Sequence, residues 1–211
     1  MCDSLTNGER RLWSLLEPQV KILIDVGIGK ELTFPDNKTT QQYCFECNPL
    51  FCKQLERFKS PTVGIITIGL SDCEGEKIYY SHSETFHCRP SLNGCSSDCK
   101  CKRVVSITRL DTWIQENKLH HIDFLKIDVE GHELAVLKGA KNSLYLTRWV
   151  QFEYGGTYKD AKIKLNDVYK LLKLAGFMYI YLILPTTLEL TSKANEDYQY
   201  ANYFATREKL N

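Results

Sequence analysis

Apolar residues along this chain follow two rhythms in turn, short unbroken runs and stretches spaced by three and four, which predicts strands alternating with helices. Leu12, Leu15 and Leu16 have helical spacing ended by Pro18, and a first strand is expected at about 21–26. Residues 34–40 hold breakers and no helical period, so the usual first crossover helix is expected to be short or missing. A strand at 42–46, a helix at 50–58 opened by Pro49 and a strand at 62–68 come next. Residues 77–80 read as a short edge strand, followed by a long polar loop over 81–102. The pattern resumes with a strand at 104–107, a helix at 110–116 and a strand at 122–129. The next helix carries Leu134, Leu137, Ala140 and Leu144 on one face. A strand at 149–154 precedes a helix at 161–175 that Gly176 caps. The last two strands, 177–184 and 199–205, have no helix between them and should pair antiparallel. The sum is an α/β fold, a mostly parallel sheet covered by helices, with one reversed strand at its edge.

With 211 residues and 43% hydrophobic content, the chain suits a single domain over 1–211. The 27 basic and 26 acidic residues nearly cancel, which gives no field for steering onto nucleic acid or an anionic membrane surface. The apolar runs at 63–70 and 179–184 are far shorter than the ~18 residues a bilayer span needs. The first residues hold no apolar stretch of a signal peptide, so a soluble, cytoplasmic protein is expected. Trp13, Trp113 and Trp149 read as core. The cysteines show no disulfide framework, and Cys2, Cys44, Cys47, Cys52 and Cys73 read as reduced thiols. Cys88, Cys95, Cys99 and Cys101, with His82 and His87 nearby, supply enough ligands for zinc, but their spacing fits no recurrent pattern and a loop of free thiols is favoured.

Candidate chemistry collects at two junctions. In the first, Ile22-Leu-Ile-Asp-Val-Gly-Ile-Gly29, a strand ends in Asp-x-Gly-x-Gly, and Glu46 ends the next strand. Glycines let backbone approach a ligand and an acid accepts hydrogen bonds from ribose hydroxyls, so Asp25, Gly27, Gly29 and Glu46 fit an adenosine cofactor. The second, Asp123-Phe-Leu-Lys-Ile-Asp-Val-Glu-Gly-His-Glu133, crowds Lys126, Asp128, Glu130, His132 and Glu133 into a strand-to-helix turn. Lys126 and Asp128 point to one face of the strand, and Glu130 would follow if the extended geometry persists. Glu153 ends a further strand. Asp128, Glu130 and Glu153 could hold a divalent cation, although lysine and backbone donors are the favoured partners. Glu133 also suits a first-turn acid at the helix dipole.

These segments, with Phe45-Glu46-x-Asn-Pro49, Leu110-Asp-Thr-Trp113 and Val136-Leu-Lys-Gly-Ala140, resemble the FkbM-type S-adenosylmethionine-dependent methyltransferases over roughly 20–185. The resemblance implies a class I methyltransferase (Rossmann-like) fold, a three-layer sandwich around a seven-stranded, mostly parallel sheet with an antiparallel C-terminal hairpin. It implies O-methylation of a hydroxyl, on a sugar or glycan acceptor or a polyketide-like natural product. By position, Asp25, Gly27 and Gly29 match the family's cofactor loop, Glu46 its ribose-binding acid, Ser71 and Asp72 the region beside adenine, and Glu153 the acid after the fifth parallel strand. The family's loop more often reads Asp-Val-Gly-Ala-Asn-x-Gly; here Gly29 stands at the Asn position and Glu31 at the last glycine.

For such a transfer, Asp128 is the first choice as the base that takes the alcohol proton and His132 the second, with Lys126 orienting the acid or the substrate. Asp128 also faces the cofactor's methyl group. His132 has a bland alternative as an ordinary helix residue. His82, His87 and Tyr154 are candidates to line the acceptor pocket. Competing readings are a nicotinamide-dependent oxidoreductase, which lacks the third glycine of its fingerprint, a ribose methyltransferase, and a non-catalytic module with a degenerate fold. The chain is also readable as one domain of a longer glycan-building enzyme.

Overall fold

A computed structural model describes residues 6–81 and 101–210. Helix α1 (Glu9–Leu16) leads into β1 (Ile22–Val26) and β2 (Gln41–Phe45), with no helix between the two strands. Then come α2 (Pro49–Leu55), β3 (Val63–Ile66), and a small second sheet made of β4 (Gly69–Leu70), β5 (Gly75–Ser81) and β6 (Cys101–Thr108). After α3 (Leu110–Glu116) the chain forms β7 (Ile122–Ile127), α4 (Glu133–Lys138), β8 (Thr147–Tyr154), α5 (Gly156–Asp160) and α6 (Leu165–Leu174). It ends in β9 (Tyr179–Ile183), β10 (Leu188–Thr191) and β11 (Ala201–Thr206).

The main sheet has the order β10-β9-β11-β8-β7-β1-β2-β3, and its members from β3 to β8 run parallel. β11 is antiparallel to both β8 and β9. The seven expected strands are present, with β10 added as an eighth. The reversed strand β11 lies inside the sheet and not at its edge, and burial explains why. Asn202 to Thr206 are all buried, as an interior strand requires, while Leu188 to Thr191 are half-buried or exposed and suit an edge. Residues 77–80 do not extend the main sheet; they pair with β6 in the small one. The helix expected at 161–175 starts only at Leu165, because Lys162 takes a left-handed φ of 55° that interrupts it after α5.

Two apolar layers sandwich the sheet. On one face α3, α4 and α6 bury Leu110, Trp113, Leu137, Val168 and Leu172 against Ile24, Leu125 and Phe152. On the other, α1 packs Leu12, Trp13 and Leu16 onto Leu23, Phe124, Trp149 and Phe204, with Trp13 stacked on Phe34 at 4.4 Å between centroids. Each such side chain withdrawn from water contributes about 1.5–3 kcal/mol. Alternation along the strands then puts Asp25, Lys126, Gln151 and Asn202 on the α1 face. A polar row therefore lies beneath the N-terminus of α1, towards the carboxyl edge of the sheet.

Candidate active site

The two junctions lock together through backbone. The Asp128 amide donates to the Val26 carbonyl at 2.9 Å, and the Gly27 amide donates to the Phe45 carbonyl at 2.9 Å. Gly27 has a φ of 85°, and a Cβ there would stand 1.9 Å from the Asp128 carbonyl oxygen, so only glycine lets the turns meet. Asp25 and Asp128 thus belong to one site. After Asp128 the extended geometry stops: Glu130 takes a left-handed φ of 54°, which carries it off the face shared by Lys126 and Asp128. Glu133 holds this turn, its Oε1 accepting the amides of Val129 at 2.9 Å and Gly131 at 3.3 Å. Its Oε2 is buried without a hydrogen-bond partner, and burial pushes its pKa up to about 8.

Lys126 is the electrostatic centre. It is buried, and its Nζ lies 3.1 Å from Asp128 Oδ2, 3.9 Å from Asp25 Oδ1 and 4.0 Å from Glu9 Oε1. Burial works against its charge, but the three carboxylates outweigh that and raise its pKa above the usual lysine range. Asp25 is pushed up to about 6 by burial, partly offset by Lys126, and its Oδ1 accepts no hydrogen bond. Asp128 differs from both, with 32% of its side chain exposed. Burial opposes its ionisation, yet Lys126 and a hydrogen bond from Glu153 hold its pKa below the usual range. Glu153 goes the other way, raised by burial and by the Asp128 carboxylate. The two carboxyls titrate as a pair, the charge favoured on Asp128 by Lys126 and disfavoured on Glu153 by burial.

Glu46 also stands where the glycine turn ends. Its Oε2 accepts the Gly29 amide at 2.9 Å and its Oε1 the Asn48 amide at 2.6 Å, while burial raises its pKa to about 7. A Cβ at Gly29 would meet nothing within 4 Å. Open space therefore lies over this turn, beside Glu46.

The structure assembles a second set with His132 and not with Asp128. His132 is buried, its Nε2 lies 2.9 Å from Ser71 Oγ, and Lys77 Nζ donates to the same oxygen at 3.0 Å. Ser71 in turn donates to Asp72 Oδ1 at 3.2 Å. Burial and Lys77 lower the His132 pKa to about 4, which keeps it neutral. Tyr154 does not line a pocket: it is fully buried, and its hydroxyl accepts the Tyr198 amide at 2.8 Å. Among the described residues no three His, Cys, Asp or Glu side chains are grouped to hold a metal ion, Asp128, Glu130 and Glu153 included. The proposed ligands Cys88, Cys95 and Cys99, with His82 and His87, lie outside the described residues. Cys44 and Cys52 are buried, Cys47 is half-buried and Cys73 is exposed, all as free thiols.

Sequence reasoning missed Glu9, Gln151 and Asn202. Glu9 accepts hydrogen bonds from Gln151 Nε2 and, at 2.7 Å, from Asn7 Nδ2. A signal existed for Glu9: with Leu12, Trp13 and Leu16 it shares the i, i+3, i+4, i+7 face of α1, where an acid is out of place unless it has a buried partner. Asn202 pairs with Glu153 in register across β11 and β8, a neighbour visible only once the strand order is known.

A parallel sheet of order β3-β2-β1-β7-β8 closed by antiparallel β11 and β9, with acids ending β1, β2 and β7, defines the class I, S-adenosylmethionine-dependent methyltransferase architecture. Within that class, residues 36–179 match the family described as the methyltransferase FkbM domain, and the chain belongs to this family. The 2-O-methyltransferase NoeI of Sinorhizobium fredii is 26% identical over 164 residues, 69% of this chain and 68% of that protein. The methyltransferase FkbM of Methylobacillus flagellatus superposes with a TM-score of 0.54 at 12% identity, over 88% of this chain and 43% of that one. The chain thus spans less than half of that neighbour's length. The N-terminal domain of EvdMO1, solved with SAH and D-fucose, gives a TM-score of 0.53 at 9% identity, over 96% of this chain and 83% of that one. Among the described residues no helix is long and apolar enough to cross a membrane.

Proposed function

We propose that this chain transfers a methyl group from S-adenosylmethionine to a hydroxyl of a sugar or glycan, with Asp128 as the base. The observation that carries the reading is the partly exposed Asp128 at the end of β7, its Oδ2 3.1 Å from the Nζ of buried Lys126. The family, the 2-O-methyltransferase relative and the sugar named with EvdMO1 support the acceptor class.

The residues present fit the donor. Gly29 leaves open space and Glu46 keeps lone pairs free for ribose hydroxyls, while Asp25, buried and ion-paired with Lys126, supports the turn from within. Ser71 and Asp72, next to His132, would bound the adenine side. S-adenosylmethionine supplies a methyl group already activated on a sulfonium, so the protein's part is alignment and proton removal. Asp128 accepts the proton of the attacking hydroxyl as the new bond forms. Lys126 holds Asp128 ionised and fixes its rotamer, and Glu153 donates to it from the neighbouring strand. His132, buried and bonded to Ser71, acts as a prop for that segment and takes no proton.

The test is to incubate the protein with methyl-labelled S-adenosylmethionine and a panel of methyl glycosides, then look for a base-stable methyl ether. Label on a glycoside oxygen is the expected result. Label that enters a phenol or an RNA but no glycoside overturns the sugar reading, and donor binding without transfer to any acceptor overturns the enzymatic one.

A further inference from the structure

A groove of about 630 Å³ opens among β9, β10, the N-terminal end of β11 and Asn7. That volume suits a small-molecule site. Asn202 lies in its wall and pairs in register with Glu153, so the groove adjoins the carboxyl pair at the sheet's carboxyl edge.

Tyr200 gives the groove a chemical preference. Its hydroxyl accepts from Asn202 Nδ2 at 2.9 Å and from Asn7 Nδ2 at 3.2 Å. Both oxygen lone pairs are then in use, which leaves the O–H proton as a donor, and among the described residues it is given to none. Burial raises the Tyr200 pKa, and Glu153 and Glu9 raise it further, so that proton stays in place. Tyr200 as a whole is 39% exposed. Asn7 also donates to Glu9 Oε2, which ties the phenol to the Lys126 cluster. Two residues earlier Tyr198 is held at a left-handed φ of 57°, its ring stacked on Tyr154 and its amide donating to the Tyr154 hydroxyl. A non-glycine residue in that region is strained and persists only where its surroundings impose it, so the approach to Tyr200 is fixed before any ligand arrives.

We infer that this groove is the acceptor subsite and takes one sugar ring, recognised by the Tyr200 hydroxyl donating to a ring or hydroxyl oxygen. The inference rests on the sugar reading above and deepens it. A sugar presents acceptor oxygens around its edge and C–H groups on its faces. An exposed phenol ring with a committed O–H donor answers both, and Lys193, Asn195 and Gln199 supply further polar contacts at the rim.

The experiment measures binding of methyl glycosides of fucose, galactose and glucose to the full chain with S-adenosylhomocysteine present, by saturation-transfer NMR. Wild type is compared with Tyr200→Phe, which removes only the donor, and with Leu190→Trp, which fills the groove from the half-exposed edge strand without touching the Asn7–Tyr200–Asn202 set. The expected result is binding of at least one glycoside, about tenfold weaker in Tyr200→Phe and weaker again in Leu190→Trp, with unchanged affinity for S-adenosylhomocysteine. A glycoside that binds all three proteins equally overturns the groove while leaving the sugar reading intact. If wild type binds and methylates none of them, the sugar reading fails and the subsite fails with it.

Discussion

At the scale of single residues, the site turns on three acids around one buried lysine, with Glu153 beside one of them, Asp128. Lys126 can neutralise only part of the charge of Glu9, Asp25 and Asp128, and a burial this complete makes each unpaired ion expensive. Lys126 favours the charge on Asp128, and burial beside that carboxylate disfavours it on Glu153. Asp128→Asn keeps the shape and removes the base. Donor binding measured by calorimetry should be retained while turnover falls about 10²–10⁴-fold, and unchanged turnover would refute the base assignment. Lys126→Met should behave differently. Uncompensated carboxylates are left behind, so a loss of about 3–5 kcal/mol is expected by denaturant titration together with loss of transfer. The positions of Asp25, Asp128 and Glu46 are readable in sequence because each ends an apolar run at a turn. The role of Glu9 is set by a helix laid across the sheet, and that contact has no local signature except one acid on an apolar stripe.

At the scale of elements, what matters is that the β1 and β7 turns touch backbone to backbone. Gly27 sits where they cross, so Gly27→Ala should force Val26 and Asp128 apart. A Cβ with a positive φ and a 1.9 Å clash calls for a shift of the whole turn. The expected outcome is a folded protein by circular dichroism, with a melting temperature lowered by roughly 5 °C or more and with donor binding abolished. Binding that survives at wild-type strength would show that the turns are not coupled. Element positions were largely legible: α3 spans the residues its apolar spacing implies, and the helix-free stretch before β2 follows from Pro35 and its polar neighbours. The misses share a cause. β10 has a weak pattern because an edge strand buries little, and Lys162 breaks a helix through a backbone angle that its residue type does not advertise. Glu130 likewise leaves the strand face at a φ of 54°, which periodicity alone could not foresee.

At the scale of the whole molecule, strand order was only partly legible. The adjacent pairs β1–β2, β2–β3 and β7–β8 follow chain order, whereas the return from β3 to β7 beside β1 passes through the small sheet and α3. The place of β11 between β8 and β9 depends on burial of both its faces in the finished sheet, a property its apolar run allows but does not demand. The same folded interior sets how stability responds to pH. Glu46 and Glu133 titrate near 7 and 8 when folded, each raised mainly by burial, and Glu153 is also raised. An unfolded chain would have lost those protons by about pH 5. Between pH 6.5 and 8 the folded chain therefore binds more protons than the unfolded one, so raising pH favours unfolding. His132 has the opposite sign, since burial lowers it to about 4, but its contribution is half complete at the start of this window and complete about one pH unit higher, so the acids outweigh it. The ligand-free protein should accordingly lose roughly 5 °C in melting temperature from pH 6.5 to 8 by scanning calorimetry. Glu133→Gln keeps the acceptor for the Val129 and Gly131 amides but cannot ionise, so it should flatten part of that decline and be the more stable protein at pH 8. A wild-type melting temperature that is level or rising across this range would mean that the buried acids are ionised in the fold, and the proton assignment behind Asp128 would fall with them.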